Sequence, residues 1–394
     1  MSDSRTEAEK LAFKKTITTL RQEIAWDWLS DIAQLVLDRA IAIQQIPAPT
    51  FAEGESGQYV KEQFQALGLE NVEMDDRFNV YGVLRGENRG PGLMTMAHID
   101  TVFPIETDLT IKRDGTRIYG PGLGDNSIGV ASMMGLVEAL KRANVILPCD
   151  LWLVATSGEE GLGDLRGIRQ AYERVKPHIR AIINLEGSVL GHVYHAGIAV
   201  KRLCITATAD GGHSWGHFGN ASALHGIVQL GAKITAIQPP VKPKTTYNIG
   251  MIEGGQSINS IAAHAELWLD MRSEEQAVLD ELEKQVLDHI ESLRSDDLRF
   301  DIKVVGNRPA GAIATSHPLV QLAVTNLEQL GLEPVLRTGS TDGNIPLADG
   351  CPTITVGVTY GGNTHRVDEY IETQPIATGM QQIILLAMAA AQMK

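Results

Sequence analysis

LWLVATSGEEG, residues 151 to 161, is the stretch on which the reading of the fold turns. Its first six residues form an apolar run rich in strand formers, and Gly158 and Gly161 then break any regular element. Glu159 and Glu160 are thereby placed at the C-terminal mouth of a buried strand, the edge at which open α/β sheets bind ligands. Two like charges so close repel unless a cation or a shared proton lies between them, and a metal site is the simplest account. The plain alternative is a solvated loop pair. The other residues of the chain weigh against it.

Working outward, GLMTMA (92–97) is a continuously apolar run suited to a buried strand. A small-residue helix, GVASMMGLVEALKRA, follows Asp125, and after LWLVAT the run AIINLEG (181–187) supplies another buried strand. This strand–helix–strand rhythm predicts an α/β unit with a mostly parallel sheet and helices on both faces. Upstream, residues 1 to about 20 read as a polar lead-in. An amphipathic helix then runs through WLSDIAQLVLDRAIAIQQ to the IPAP segment, and a second helix is expected from Glu53 to Leu67. From about Val200 the texture changes. KRLCITATAD, a helix near Ala221 to Thr235, the strands TYNIGMIE and IAAHAELWLDMRS, a charged helix from Glu274 to about Leu293 and DIKVVG predict a separate α+β unit with an antiparallel sheet. After GNRPAG the α/β texture returns, with a helix near Leu319 to Leu330, the strand TITVGV and a last helix from about Pro375 to Gln392. The expected division is an α/β unit of residues 1–199 and 309–394 with residues 200–308 inserted into it.

At 394 residues with 43% hydrophobic content, two folding units with real cores are expected. The balance of 34 basic against 48 acidic residues, net −14, excludes a nucleic-acid or anionic-membrane surface and leaves small molecules or peptides as partners. The polar N-terminus lacks the apolar core of a signal peptide, and no stretch reaches the ~18 apolar residues of a membrane span, so a cytoplasmic protein is expected. Cys149, Cys204 and Cys351 are far apart with no CxxC, so any metal must be held by histidines and carboxylates.

AHIDTVFP (97–104) supplies such residues. His98 and Asp100 are two apart and share a face if the strand persists, which lets Asp100 accept a hydrogen bond from the imidazole nitrogen turned away from a metal. GLGDNSIG (122–129) places Asp125 in a glycine-bracketed turn before a helix, either as a cap or as a carboxylate bridging two cations. Glu186 ends another buried strand, and His365 in GGNTHRVDEY follows a glycine-rich loop after the last one. Each signal is weak alone. Together, His98, Glu160, Glu186 and His365 at strand ends with Asp125 on an adjacent loop suit a pair of divalent ions: zinc first, with cobalt or manganese as alternatives. Glu159 has no ligand role in this set and is the candidate general base, taking a proton from metal-bound water and passing it to a leaving amine.

The series AHIDTV, GLGDNS, SGEEG, NLEG and THRVDE, with the inserted GGHSWGHFGN and INSIAAHAELWLDMRS, resembles the dizinc superfamily of aminoacylase, acetylornithine deacetylase, succinyl-diaminopimelate desuccinylase and peptidase T from about Leu35 onward. The resemblance implies that His98 and Glu186 bind one zinc, Glu160 and His365 the other, and that Asp125 bridges them. It implies that Asp100 orients His98 and that Glu159 is the catalytic base. It further implies that the inserted unit is a lid through which the chain forms a homodimer, that His213 polarises the scissile carbonyl and that Asn259 and Arg272 hold the substrate's carboxylate. The loop Gly339-Ser340-Thr341-Asp342 resembles the family's substrate-contacting glycine loop. Glutamate at position 186 tilts toward N-acyl amino acid deacylation, whereas GSTDGNIP and HIDTVFP resemble the peptidase T-like branch. The expectation is a metal-dependent hydrolase of small peptides or N-acyl amino acids. The rival is a catalytically inactive binding protein on the same scaffold.

Overall fold

A computed structural model of the chain describes residues 7–393. By internal contacts the chain divides into two compact units, residues 1–197 with 311–394, and residues 198–310.

The larger unit is built on a nine-stranded mixed sheet. At its centre the strands Cys149–Thr156, Asn88–His98, Ile179–Glu186 and Thr353–Gly357 lie side by side and parallel. These are the apolar runs of the sequence, and they are apolar on both faces because both faces are covered. Along Asn88–His98, Leu93 and Ala97 enter one core while Met94 and Met96 enter the other. The first core holds the apolar faces of the helices Leu29–Gln44, Gly54–Ala66, Ile128–Arg142, Pro318–Gln329 and Ile376–Ala391; the second holds that of Arg166–Val175. The flanks are less regular. Val80–Leu84 and then Glu70–Met74 add antiparallel strands on one side. On the other, His192–Gly197 runs antiparallel to Thr353–Gly357, and Val335–Gly339 runs parallel to His192–Gly197. The sheet is therefore continuously parallel across its four central strands and mixed at its flanks.

The expected polar lead-in is replaced by a helix, Glu7–Glu23; the first six residues of that expectation lie outside the described range. Ile17 and Leu20 are buried in the main core, and the Thr18 and Arg21 side chains bond to Gln329. The apolar residues of this helix are too sparse among lysines and threonines to have marked a helix by pattern. Its stability comes from packing one narrow stripe.

The second unit is a four-stranded antiparallel sheet in the order Thr245–Gly254, His264–Ser273, Ala199–Ala209, Leu298–Arg308. In His264–Ser273 alternate residues Ala265, Leu267, Leu269 and Met271 are buried beneath the helices Ala223–Ala236 and Gln276–Leu293. A two-stranded ribbon, Gly212–His213 with Ser260–Ile261, stands off this sheet. The insertion leaves the larger unit after Gly197 and returns at Gly311, and these two glycines are partners in the larger unit's own sheet. No helix among the described residues is long and apolar enough to cross a membrane.

Candidate metal centre

The parallel centre of the sheet determines where the acids and imidazoles emerge. His98 is the last residue of its strand and stands in register with Thr156, so the loop Ser157–Glu160 leaves the sheet at the level of His98. Glu186 closes Ile179–Glu186 and pairs with Gly357, while His365 comes from the loop after Gly361–Gly362. Asp125 lies in the turn Leu123–Ser127 that leads into Ile128–Arg142.

These side chains converge on Asp125. Its Oδ1 lies 2.9 Å from His98 Nε2 and its Oδ2 lies 3.2 Å from His365 Nε2. His365 Nε2 is also 3.1 Å from Glu160 Oε1, and Glu186 Oε2 is 3.7 Å from His98 Nε2. One ligand atom each from His98, Asp125 and Glu160 fit within 4.8 Å of one another. A carboxylate that offers one oxygen to each of two imidazoles divides the cluster into a His98–Glu186 half and a His365–Glu160 half.

The electrostatics favour cations in both halves. Burial works against a charge on His98, yet the carboxylates of Asp100, Asp125 and Glu186 raise its pKa well above the ordinary range. Hydrogen bonds to Asp125 and Glu160 push His365 up to about 10. Asp125 is held far down despite its burial, by hydrogen bonds to His365 and His98, whereas burial pushes Glu186 up. A field that stabilises positive charge at each imidazole attracts a divalent ion, and two histidines with three carboxylates form a donor set that zinc accepts. The residues present thus fit a divalent metal.

Asp100 faces the His98 ring with both its backbone and its carboxylate. It falls beyond the last strand residue, so strand alternation does not apply to it. Its backbone carbonyl meets His98 Nδ1 at 3.0 Å, with carboxylate Oδ1 at 3.6 Å. The carboxylate accepts the backbone N–H groups of Glu159 at 2.9 Å and Glu160 at 3.0 Å, and the Thr50 hydroxyl at 2.9 Å. Asp100 thereby ties the paired glutamates to the His98 strand. Glu159 itself is 6% exposed, at the same strand mouth as Glu160. The fully buried Glu53 accepts the Gly158 N–H at 3.0 Å and pairs with Arg166 at 3.0 Å. Gly158 has φ +61°, a conformation in which a side chain is strained.

Asn184 Nδ2 donates to Glu186 Oε1 and to Thr341 Oγ1, each at 3.3 Å, so the half-buried Ser340–Thr341 loop adjoins the Glu186 half. Beneath it, Asp342 is buried and accepts the Thr156 hydroxyl, and burial pushes its carboxyl up to about 7.

In the second unit, His213 lies on the ribbon and Asn259 immediately precedes its second strand, where Ser214 N–H donates to the Asn259 backbone carbonyl at 3.0 Å. His213 is exposed, and its Nδ1 accepts the N–H groups of Trp215 at 3.2 Å and Gly216 at 3.3 Å. In the neutral ring the proton is therefore on Nε2, free to donate. Arg272 is elsewhere, paired with Asp270 at 2.7 Å. The ribbon adjoins the His264 end of the strand His264–Ser273, through Ala209 N–H to Ala263 O, whereas Arg272 pairs with Val200 at the other end. From His264 to Arg272 the extended chain covers ~26 Å at ~3.3 Å per residue.

Sequence reasoning missed Glu53, Asn126, Asn184 and Glu369. Glu53 carries no sequence signal, and Asn184 stands two residues before Glu186 inside the quoted NLEG without a role assigned to it. Asn126 adjoins Asp125, and Glu369 stands inside the quoted THRVDE without a role assigned to it.

Residues 94–389 match the model of peptidase family M20/M25/M40. The chain belongs to this family. It is therefore a hydrolase of the M20/M25/M40 group, whose known members include dinuclear metal-binding enzymes. It is 24% identical to the acetylornithine deacetylase of Photorhabdus laumondii over 322 residues, 74% of this chain and 78% of that protein. Its fold is similar to that of aminopeptidase PepT from Bacillus cereus, with a TM-score of 0.75 and 21% identity over 94% of this chain and all of that one. It is also similar to that of Bacillus subtilis YxeP, described as a dinuclear metal binding peptidase of the M20 family, with a TM-score of 0.65, 16% identity and 92% and 99% of the two chains covered.

Proposed function

We propose that this M20/M25/M40 chain hydrolyses an amide bond of small peptides or N-acyl amino acids at a centre of two divalent ions, zinc best suited among them. The observation that carries the reading is Asp125 offering one oxygen to each imidazole, with the buried Glu159 beside Glu160 at the same edge. His98 and Glu186 would hold one ion, Glu160 and His365 the other, and Asp125 both. When bound, such ions act as Lewis acids that polarise the carbonyl and acidify water.

The remaining work falls to the chain. Glu159, fixed by its backbone bond to Asp100, takes the proton from the attacking water and delivers it to the leaving nitrogen. His213 Nε2–H donates to the carbonyl oxygen as negative charge builds there, an interaction strongest in the transition state. Asn259 and Arg272 hold the substrate's carboxylate, with Ser340 and Thr341 in contact with its body. An extended tripeptide spans only ~10 Å, at ~3.3–3.6 Å per residue. The ~26 Å between the ribbon end and Arg272 therefore supports two chains contributing to each site, as in a homodimer formed through the inserted unit.

Likeness to PepT supports peptides, and likeness to acetylornithine deacetylase supports N-acyl amino acids. Metal analysis together with a screen of dipeptides, tripeptides and N-acyl amino acids tests the proposal. Two ions per chain, and activity lost to a chelator, are expected. A fully active, metal-free preparation refutes it.

A further inference from the structure

The loop that carries Asp125 is held by a carboxylate to which the proposed chemistry gives no part. Glu369 is fully buried in the loop that also carries His365. Its Oε1 accepts the N–H groups of Gly124 at 2.7 Å and Asp125 at 2.8 Å, and its Oε2 accepts that of Gly122 at 3.2 Å. Its own backbone adds two bonds: its N–H donates to Arg366 O at 3.0 Å and its carbonyl accepts Gly120 N–H at 2.8 Å. The two loops are in close contact here. A Cβ on Gly124 would come within 2.2 Å of Ser188 Oγ and 2.8 Å of Glu369 Oε1, so this backbone can approach the carboxylate only as glycine.

A buried N–H without an acceptor is costly, and three converging on one side chain fix the loop's path. The other side of the turn is anchored separately. Asn126 Nδ2 donates to Leu185 O at 2.8 Å, and Asn126 Oδ1 accepts Gly187 N–H at 3.0 Å, which brackets Glu186. Asp125 is thus registered to the Glu186 strand by Asn126, and to the His365 loop by Glu369.

We infer that Glu369 is a positioning residue that sets the separation of Asp125 from His365 and so tunes the ion held by Asp125, Glu160 and His365 in preference to the ion in the Glu186 half. The inference rests on the metal-centre reading above. Partners that orient ligands in this way are worth ~10 to 100-fold in metal affinity.

The test is a zinc titration of the chelator-treated full chain, as wild type, Glu369→Gln, Glu369→Ala and His365→Ala, with hydrogen exchange followed at the Gly122, Gly124 and Asp125 amides. Glu369→Gln is isosteric and loses one acceptor oxygen, so it retains the fold even if the alanine variant does not. The expected result is two binding steps in wild type. The step abolished by His365→Ala should weaken at least ~10-fold in Glu369→Gln, with the other step changed less and the three amides exchanging faster. A purely structural role would lower the melting temperature while leaving both steps in place, and that result overturns the inference with the metal-centre reading intact. Equal weakening of both steps also overturns it. A wild type that binds no zinc overturns the inference and the reading beneath it together.

Discussion

If His213 serves the site of a second chain, two inactive variants should restore each other. The pair is His213→Ala, which removes the carbonyl donor, and Glu159→Ala, which removes the base. Loss of one transition-state donor costs ~10² to 10³-fold in turnover, so each parent should retain at most ~1% of wild-type activity. Equal amounts mixed under conditions that exchange subunits give about half heterodimers by two-fold symmetry. In each heterodimer one site has both residues intact and the other has neither. Recovery should therefore reach about a quarter of wild type, at least ~25-fold above either parent. The structural motive is the ~26 Å of strand between the ribbon end and Arg272, too far for one small substrate to bridge within a chain. The assay is initial rate against the best substrate of the screen, with exchange verified by native mass spectrometry of a tagged partner. No recovery despite demonstrated exchange refutes the reasoning, because a residue acting in its own chain leaves every site one residue short.

The two glutamates should separate in opposite ways. Glu159→Gln is expected to keep its metal and lose ~10² to 10⁴-fold in turnover, whereas Glu160→Gln should lose metal first; the reverse pattern in metal analysis means the roles are swapped. Because His98 and His365 are held protonated by their carboxylate neighbours, zinc must displace those protons. Its affinity should climb with pH up to about 10, the value to which His365 is raised, and a calorimetric titration giving a flat profile from pH 6 to 9 counts against the assigned ligands. Asp342 provides a stability test. Its carboxyl, raised by burial to about 7, favours folding fully below the unfolded carboxyl's pKa, and that contribution is lost as pH rises through about 7. Asp342→Asn removes this dependence, so its melting temperature relative to wild type should rise between pH 5 and 8; a constant difference would falsify the assignment.

The parallel centre of the sheet was legible because long apolar runs broken by glycine allow few other readings. Its mouth was legible because the chemistry-bearing residues stand at the ends of those runs. What escaped were elements stabilised from outside themselves. Glu7–Glu23 has a stripe too narrow to announce a helix, and His192–Gly197 and Val335–Gly339 are short strands whose histidine, tyrosine and arginine hide the alternation. At the centre itself, the ligand candidates were legible and their supports were not. The Asp100 carboxylate was assigned to an imidazole because side-chain spacing is visible in a sequence, whereas the backbone amides of Glu159 and Glu160 that it accepts are not. Glu53 and Glu369 contact the site across long stretches of chain, as Asn184 contacts Thr341, and only folding makes them neighbours.

The pairing of Gly197 with Gly311 bears on how such a chain can be assembled or taken apart. To the sheet of the larger unit, everything from residue 198 to 310 is a hairpin loop whose ends are already hydrogen-bonded. Closing a loop costs entropy that grows only with the logarithm of its length, so a sheet edge of this kind accepts a whole folded unit as readily as a long turn. Conversely, a two-residue Asn-Gly turn joining position 197 to 311 would leave every strand of the larger unit in its own register. The junction makes the second unit an exchangeable cassette: the cluster around Asp125 could keep its geometry while the cassette, and with it His213, Asn259 and Arg272, is replaced.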